Sequence, residues 1–105
     1  MKKLLLILLL ISFGTFAQKG RRLEVLFLGD NGHHKPIERI PALMAALGPK
    51  GVNFTYTDKL EDLNPVNLNK YDALMIYANW DEISPAGEKA ILDFVESGKG
   101  FLPIH

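Results

Sequence analysis

Two of the three histidines in the sequence, His33 and His34, are adjacent in the segment "FLGDNGHHKP" at positions 27–36. An imidazole has an unperturbed pKa of about 6.5, so histidine can transfer protons at neutral pH and is also a common metal ligand. Asp30 and Asn31 precede the pair and carry oxygen atoms that accept hydrogen bonds. The segment therefore indicates a polar site at the end of an apolar run.

Two further polar groups follow apolar runs later in the chain. Asn79, Trp80 and Asp81 come directly after "DALMIYA" at positions 72–78, and the third histidine, His105, comes after "GFLPI". Hydrogen-bonding side chains beside one flat apolar ring are the usual lining of a small-ligand site. These groups become one site only if the fold brings the three segments together.

The apolar runs have the patterns of β-strands. "LEVLFLG" at 23–29 and "DALMIYAN" at 72–79 are apolar on both faces, which predicts buried strands. "VNFTYT" at 52–57 alternates apolar and polar residues, which is typical of a strand near a sheet edge, and "GFLPIH" at 100–105 predicts a fourth strand.

Helical patterns separate these strands. The first helix should begin near Ile37 or Glu38, keep Pro41 in its first turn, and end at Gly48. The spacing predicts that one face of this helix is apolar and buried: Ile40, Leu43, Met44 and Leu47. The last helix should begin at the cap Ser84, followed by Pro85, and end at Gly98. Its buried stripe should consist of Ile91, Phe94 and Val95.

The connection at 58–71, "DKLEDLNPVNLNKY", is polar and is interrupted by Pro65, so we predict one helical turn around Leu60 to Leu63 and then a loop. Alternation of strands and helices predicts an α/β fold with an open parallel, flavodoxin-like sheet. In the strand order 2-1-3-4, the first and third strands are neighbours. Ligands of such sheets bind at the carboxyl ends of the strands, where the strand order reverses.

This order places the loop with His33 and His34 opposite Asn79, Trp80 and Asp81, with His105 one strand away. Because neighbouring side chains in an extended loop point in different directions, we expect only one histidine, His33, to point toward His105. A divalent metal such as zinc could then bind through His33, His34 and His105, since histidine nitrogens are common zinc ligands.

The first 17 residues, "MKKLLLILLLISFGTFA", have the basic start, apolar run and small residues of a secretory signal peptide. Its apolar run from Leu4 to Phe13 is shorter than the roughly 20 residues of a membrane-spanning helix, so we expect no stable membrane anchor after its removal. Cleavage after Ala17 would export the chain to a periplasmic or extracellular location, with 18–22 as a linker. Without cysteine, the chain forms neither a disulfide nor a cysteine-linked lipid anchor.

Composition excludes several classes of function. Removing Lys2 and Lys3 leaves ten basic against twelve acidic residues, a net charge of −2, which does not favour nucleic acid as a partner. "GDNGHH" lacks the spacing of a dinucleotide-binding loop, and no Ser/His/Asp or Cys/His catalytic set can be assembled. A flavin or phosphate site is the least favoured alternative, because "DNGHHKP" has a single interior glycine and a proline that removes a backbone donor.

The segments "LEVLFLGDNGHHKP" and "YDALMIYANWDEISPAGEKAILDFVESGKGFLPIH", together with the leader, resemble the ThuA-like (trehalose utilisation) family of the class I glutamine amidotransferase-like superfamily. The resemblance covers 23–105 and implies the N-terminal part of a domain that is truncated at its C-terminus. It also implies a function in carbohydrate utilisation, with a trehalose-related glycoside or a keto-sugar as ligand, and additional domains in a longer chain. The family's loop histidines fall on His33 and His34, and its fourth-strand histidine falls on His105.

Two hypotheses of function follow from this resemblance. In an enzyme acting on a sugar, the catalytic residues would be His33, His105 and Asp81, because these side chains can transfer protons. The substrate would be bound by a second set of polar and aromatic side chains: Asp30, Asn31, His34, Asn79 and Trp80. Alternatively, the same residues form a non-catalytic carbohydrate-binding or partner-docking domain.

Overall fold

Four parallel strands form a single sheet in the order β2-β1-β3-β4 in the computed structural model, which describes residues 20–104. The strands are β1 (Leu23–Leu28), β2 (Val52–Thr57), β3 (Ala73–Ile76) and β4 (Gly100–Pro103). The α-helices between them are α1 (Ile40–Leu47), α2 (Pro65–Leu68) and α3 (Pro85–Glu96). The predicted α/β fold with a flavodoxin-like open parallel sheet is confirmed, including the strand order.

Some predictions concern residues that lie outside this range. The signal peptide at 1–17, the first residues of the linker and His105 are not among the described residues. Within 20–104, no helix has both the length and the apolar composition needed to cross a membrane.

Apolar layers lie on both faces of the sheet, because β1 contributes alternate side chains to each of them, whereas the residues of β4 are exposed. One layer contains the following buried residues, with α2 and α3 on that side: Leu26, Leu28, Leu63, Leu68, Leu74, Ala90 and Phe94. The other layer lies on the side of α1: Val25, Phe27, Ile40, Phe54 and Met75. Leu26, Phe27 and Leu28 are at most 1% exposed, so β1 is the most buried strand of the sheet.

The first helix differs from its prediction at both its start and its apolar face. A 3-10 turn over Pro36–Arg39 precedes α1, so the regular helix begins at Ile40 and Pro41 lies in its first turn. Ile40 is buried and Leu43 and Leu47 are half-buried, but Met44 is 46% exposed. The prediction that Met44 is buried is wrong, because Met44 lies at the margin of the helix stripe that contacts the sheet.

The connection between β2 and β3 contains more helix than predicted. A 3-10 turn at Leu60–Asp62 confirms the expected helical turn, but α2 follows where we predicted a loop. Pro65 begins this helix instead of interrupting it, since proline at the first helical position loses no hydrogen bond. The Asn64 side chain caps it by accepting a hydrogen bond from the Asn67 N–H at 2.9 Å. Leu68 is thereby buried.

The last helix begins as predicted. Ser84 accepts a hydrogen bond from the Gly87 N–H at 3.0 Å, and Pro85 is the first helical residue. Two members of the predicted stripe are confirmed, since Phe94 is buried and the partly buried Ile91 packs against the same core. Gly87 and Ala90 are also buried. Val95 is 40% exposed, so the prediction that Val95 is buried is wrong. The small residues Gly87 and Ala90 lie on the face of α3 that packs against Leu63 and the sheet. Val95 lies outside that face.

Asp72 joins three strands at the amino edge of the sheet. Its carboxylate accepts hydrogen bonds from the Arg21 guanidinium at 2.9 and 3.2 Å and from the Glu24 N–H at 2.8 Å. Its backbone N–H donates to the Glu24 carbonyl, and its carbonyl accepts from the Gly100 N–H. Arg21 first, and then the Glu24 N–H, lower the pKa of Asp72 below its usual value. Ionised Asp72 therefore stabilises the start of β1 against β3.

Replacing Phe94 by alanine tests the packing of α3. Phe94 is 5% exposed, so Phe94→Ala should lower the free energy of unfolding by about 3–5 kcal/mol. Leu92 lies on the same helix and is 56% exposed, so Leu92→Ala should change it by roughly 0.5 kcal/mol or less. Urea unfolding followed by circular dichroism measures both values. Equal effects of the two substitutions would contradict this packing.

The role of Asp72 predicts a pH dependence of stability. Because folding lowers the pKa of Asp72, its contribution is present above the unfolded value of about 3.9 and is lost as the pH falls through the lower folded value. Asp72→Asn should therefore lower the free energy of unfolding at neutral pH, and the difference from wild type should vanish in acid. Asp93→Asn, which makes the same charge change in an exposed ion pair, is the control and should have little effect at neutral pH. A difference between Asp72→Asn and wild type that persists at low pH would exclude the ionised carboxylate as its cause.

Candidate functional site at the carboxyl edge of the sheet

The loops that follow β1 and β3 enclose one cleft of about 440 Å³. Since β1 and β3 are parallel neighbours, both loops leave the sheet at the same edge and face each other, as the strand order predicts. The cleft is lined by residues from both loops: Asp30, Asn31, Gly32, His33, His34, Asn79, Trp80 and Asp81. The structure thus brings together all the predicted site residues except His105, which lies outside the described range.

The base of the cleft depends on Gly29, which directly follows β1. The Gly29 N–H donates to the Thr57 carbonyl at 2.8 Å and extends the contact between β1 and β2. A Cβ atom at Gly29 would lie 2.5 Å from the Tyr56 hydroxyl oxygen and 2.8 Å from the Pro36 Cβ. Only glycine fits at position 29 without displacing Tyr56 or Pro36.

Burial, more than the nearby carboxylates of Asp58 and Asp30, raises the pKa of Tyr56.

Asp30 connects the two loops through its carboxylate. One oxygen, Oδ1, accepts the Gly32 N–H at 2.8 Å within the β1 loop, and Oδ2 accepts the Asn79 N–H of the β3 loop at 2.5 Å. These backbone donors, Asn79 first and then Gly32, lower the pKa of Asp30 below its usual value. The carboxylate is therefore ionised at neutral pH and bound to both loops.

Trp80 makes a second connection between the loops. Its indole Nε1–H donates to the Gly29 carbonyl at 3.3 Å, and the side chain remains 39% exposed at the cleft. This long hydrogen bond and the neighbouring Asn79–Asp30 contact together place one edge of the indole ring against the end of β1. The ring can therefore present an apolar surface to a ligand without first being ordered.

The two histidines both line the cleft, whereas the sequence predicted that only one of them would enter it. Their ring centroids lie 4.2 Å apart with an interplanar angle of 36°, and His34 also packs edge-on against Tyr77 at 6.1 Å. The loop is a turn and not an extended segment: the Lys35 N–H donates to the Gly32 carbonyl, and Lys35 has a left-handed φ of 49°. Successive side chains of a turn do not alternate, so both imidazoles reach the same space.

The histidine-based metal site stays a prediction. Among residues 20–104, no group of three or more histidine, aspartate or glutamate side chains is arranged to hold a metal ion. The predicted set consists of His33, His34 and His105, and its third member lies beyond that range. His33 and His34 could supply two nitrogen ligands, which is fewer than the three protein ligands of a typical catalytic zinc site.

Tyr56 and Tyr77 support the cleft but were not predicted as site residues. Both belong to apolar patterns, Tyr56 at the end of β2 and Tyr77 just after β3, and in the sequence they cannot be distinguished from packing residues. Their position near the carboxyl ends of the strands was the only available signal.

No protein-family model, curated protein or solved structure matches this chain.

A substitution at Gly29 tests the base of the cleft. Gly29→Ala places a methyl group against Tyr56 and Pro36, so it should lower the free energy of unfolding by about 1–3 kcal/mol. Gly48→Ala is the matched control, because a Cβ at Gly48 meets no atom within 4 Å and the residue has a helical φ of −53°. This control should raise stability by about 0.4–1 kcal/mol. Chemical unfolding of both variants measures the effects, and a neutral Gly29→Ala would refute the close packing.

Proposed function

We propose that this chain is an exported ThuA-like domain of the class I glutamine amidotransferase-like superfamily, and that it binds a small carbohydrate in the cleft between β1 and β3. The observation that carries this proposal is the lining of the cleft, where one tryptophan ring lies beside histidine, amide and carboxylate side chains. Sugars have apolar C–H faces as well as hydroxyl groups, so they match a site with both kinds of surface.

The dimensions and chemistry of the cleft support a ligand of this kind. Its volume of about 440 Å³ falls within the roughly 300–1,000 Å³ of small-molecule sites. Trp80 supplies the stacking surface, and Asn31, Asn79 and Asp81 supply side-chain donors and acceptors for hydroxyl groups. The exposure of these polar groups allows them to exchange water for sugar hydroxyls at little cost.

Proton transfer is the chemistry that these residues could perform on a bound sugar. His33 would take the proton from the carbon next to a keto-sugar carbonyl and return it to the former carbonyl carbon. His105 would protonate the carbonyl oxygen, and Asp81 would accept the proton of the neighbouring hydroxyl group. His34, stacked on His33, would orient its ring. Zinc held by His33, His34 and His105 is an alternative to this scheme: the metal would polarise the carbonyl, and the histidines would be ligands instead of proton carriers.

A non-catalytic carbohydrate-binding or partner-docking domain is the second candidate, and the position of Asp30 favours it. Asp30 is a carboxylate close enough to both histidines for its charge to interact with them, but both of its oxygens already accept backbone N–H groups. Asp30 is therefore not free to orient the His33 imidazole, as the carboxylate partner of a catalytic histidine does. In this alternative, the cleft binds sugar through the same contacts without turnover.

Fluorescence of the single tryptophan provides a direct test of binding. Because Trp80 lines the cleft, titration of the purified chain with glucose, fructose or trehalose should give a saturable change in its emission. Trp80→Leu should weaken binding about two- to tenfold, as measured by calorimetry, because it removes a stacking interaction worth roughly 0.5–1.5 kcal/mol. Leu92→Ala, on the exposed face of α3, should bind as wild type does.

Turnover is tested separately from binding. If the domain is an enzyme, a bound keto-sugar should exchange carbon-bound hydrogen for deuterium in heavy water, observed by NMR, and His33→Ala should abolish the exchange. Binding without exchange would support the non-catalytic alternative. If none of the sugars changes the emission of Trp80 or releases heat at tens of millimolar, the carbohydrate proposal fails.

A further inference from the structure

We propose that Asp30 is a positioning residue: its carboxylate holds the Trp80 loop against the β1 loop, and it does not itself recognise the ligand. This assigns Asp30 a role different from the substrate-binding role that the sequence predicts. The loop contacts are independent of any ligand, and only the consequence for sugar affinity rests on the proposed function.

The end of the β3 ladder shows why such a residue is needed. The Tyr77 N–H still donates to the Leu28 carbonyl at 3.0 Å, which continues the pairing of β1 and β3. Beyond Tyr77 the chain leaves the sheet, and the next backbone donor joined to the β1 loop is the Asn79 N–H, which binds Asp30 at 2.5 Å. The Asp30 carboxylate thus joins the two loops just beyond the last backbone hydrogen bond between β1 and β3.

The position of the Asp30 carboxylate is itself fixed from two sides. Gly29, the preceding residue, is held by its N–H bond to the Thr57 carbonyl at 2.8 Å, and Tyr56 and Pro36 fill the space on its side-chain side. On the following side, Oδ1 accepts the Gly32 N–H at 2.8 Å. The position of the other oxygen, Oδ2, is therefore fixed. Its hydrogen bond to the Asn79 N–H in turn fixes the position of the Asn79 backbone.

Trp80 follows Asn79 directly, so this contact sets where the indole ring lies. The Trp80 Nε1–H donates to the Gly29 carbonyl at 3.3 Å, a long hydrogen bond that would not hold the loop alone. With both contacts in place, the ring borders the same cleft as His33 and His34. Each Asp30 oxygen already accepts one backbone N–H, so the neighbouring polar side chains have more acceptor and donor capacity left for a ligand.

Asp30→Asn is the variant that tests this role, because it keeps the shape but replaces one acceptor oxygen by an NH2 donor that cannot accept an N–H. Asp58→Asn is the matched control, since it makes the same charge change at the end of β2 on the same edge of the sheet. Asp30→Glu keeps the two acceptor oxygens and should partly restore the wild-type behaviour.

Two measurements on the full chain report on the loop without any ligand. In Asp30→Asn, amide hydrogen exchange at Asn79 should accelerate at least about tenfold, because hydrogen bonds to charged groups are among the stronger ones. The Tyr77 amide serves as an internal control and should remain protected by its bond to Leu28. Acrylamide should quench Trp80 fluorescence more strongly in Asp30→Asn, but not in Asp58→Asn.

Wild type alone provides a check that does not depend on the folding of any variant. The Asn79 amide should be protected in wild type, and an exchange rate equal to that of an unstructured chain would overturn the proposal. Glucose, fructose and trehalose then serve as probes of affinity, which Asp30→Asn should weaken about tenfold.

The outcomes separate this inference from the proposed function. If Asp30→Asn weakens sugar binding while Asn79 exchange and Trp80 quenching stay unchanged, Asp30 contacts the sugar and the positioning role is wrong. If the loop measurements change as expected but wild type binds none of the sugars, the carbohydrate proposal fails and the positioning role stands.

Discussion

The pairing of β1 with β3 is the constraint on which the rest of the structure depends. These strands are far apart in sequence, yet residues 25–28 pair in register with residues 73–76. A carboxylate lies at each end of the pair: Asp72 holds the amino ends together, and Asp30 joins the loops at the carboxyl ends. Between them, β1 is buried on both faces, so a shift in register would disrupt the packing of both apolar layers.

The same pairing concentrates polar chemistry at one edge of the sheet. Parallel strands end on the same side, and the last backbone N–H groups there have no further strand to bind. Asp30 accepts such donors from both loops, so its negative charge is balanced by peptide dipoles and not by a basic side chain. This leaves His33 and His34 beside a fixed carboxylate, while Trp80 forms the opposite part of the lining.

Residues close to one another in sequence were more predictable than contacts between distant segments. The Ser84 cap follows from local sequence. The strand order and the cleft residues are exceptions, because the geometry of parallel sheets determines which strand ends meet. The helix α2 was missed because Pro65 resembles a breaker until its cap, Asn64, is seen to precede it. The contact between Asp30 and Asn79 was not predicted for another reason, since the two residues lie 49 positions apart. No local pattern reveals that a side chain is already engaged by a distant backbone group.

The separation between Asp30 and Asn79 also affects the order in which the molecule can fold. A unit of β1, α1 and β2 could form from contacts at short sequence distance, but the cleft requires β3 to have docked as well. Closing so long a loop is entropically costly and is repaid only when β1 and β3 pair, so the cleft should form late. A ligand of this cleft would then slow unfolding without speeding folding, because the transition state would lack its binding site.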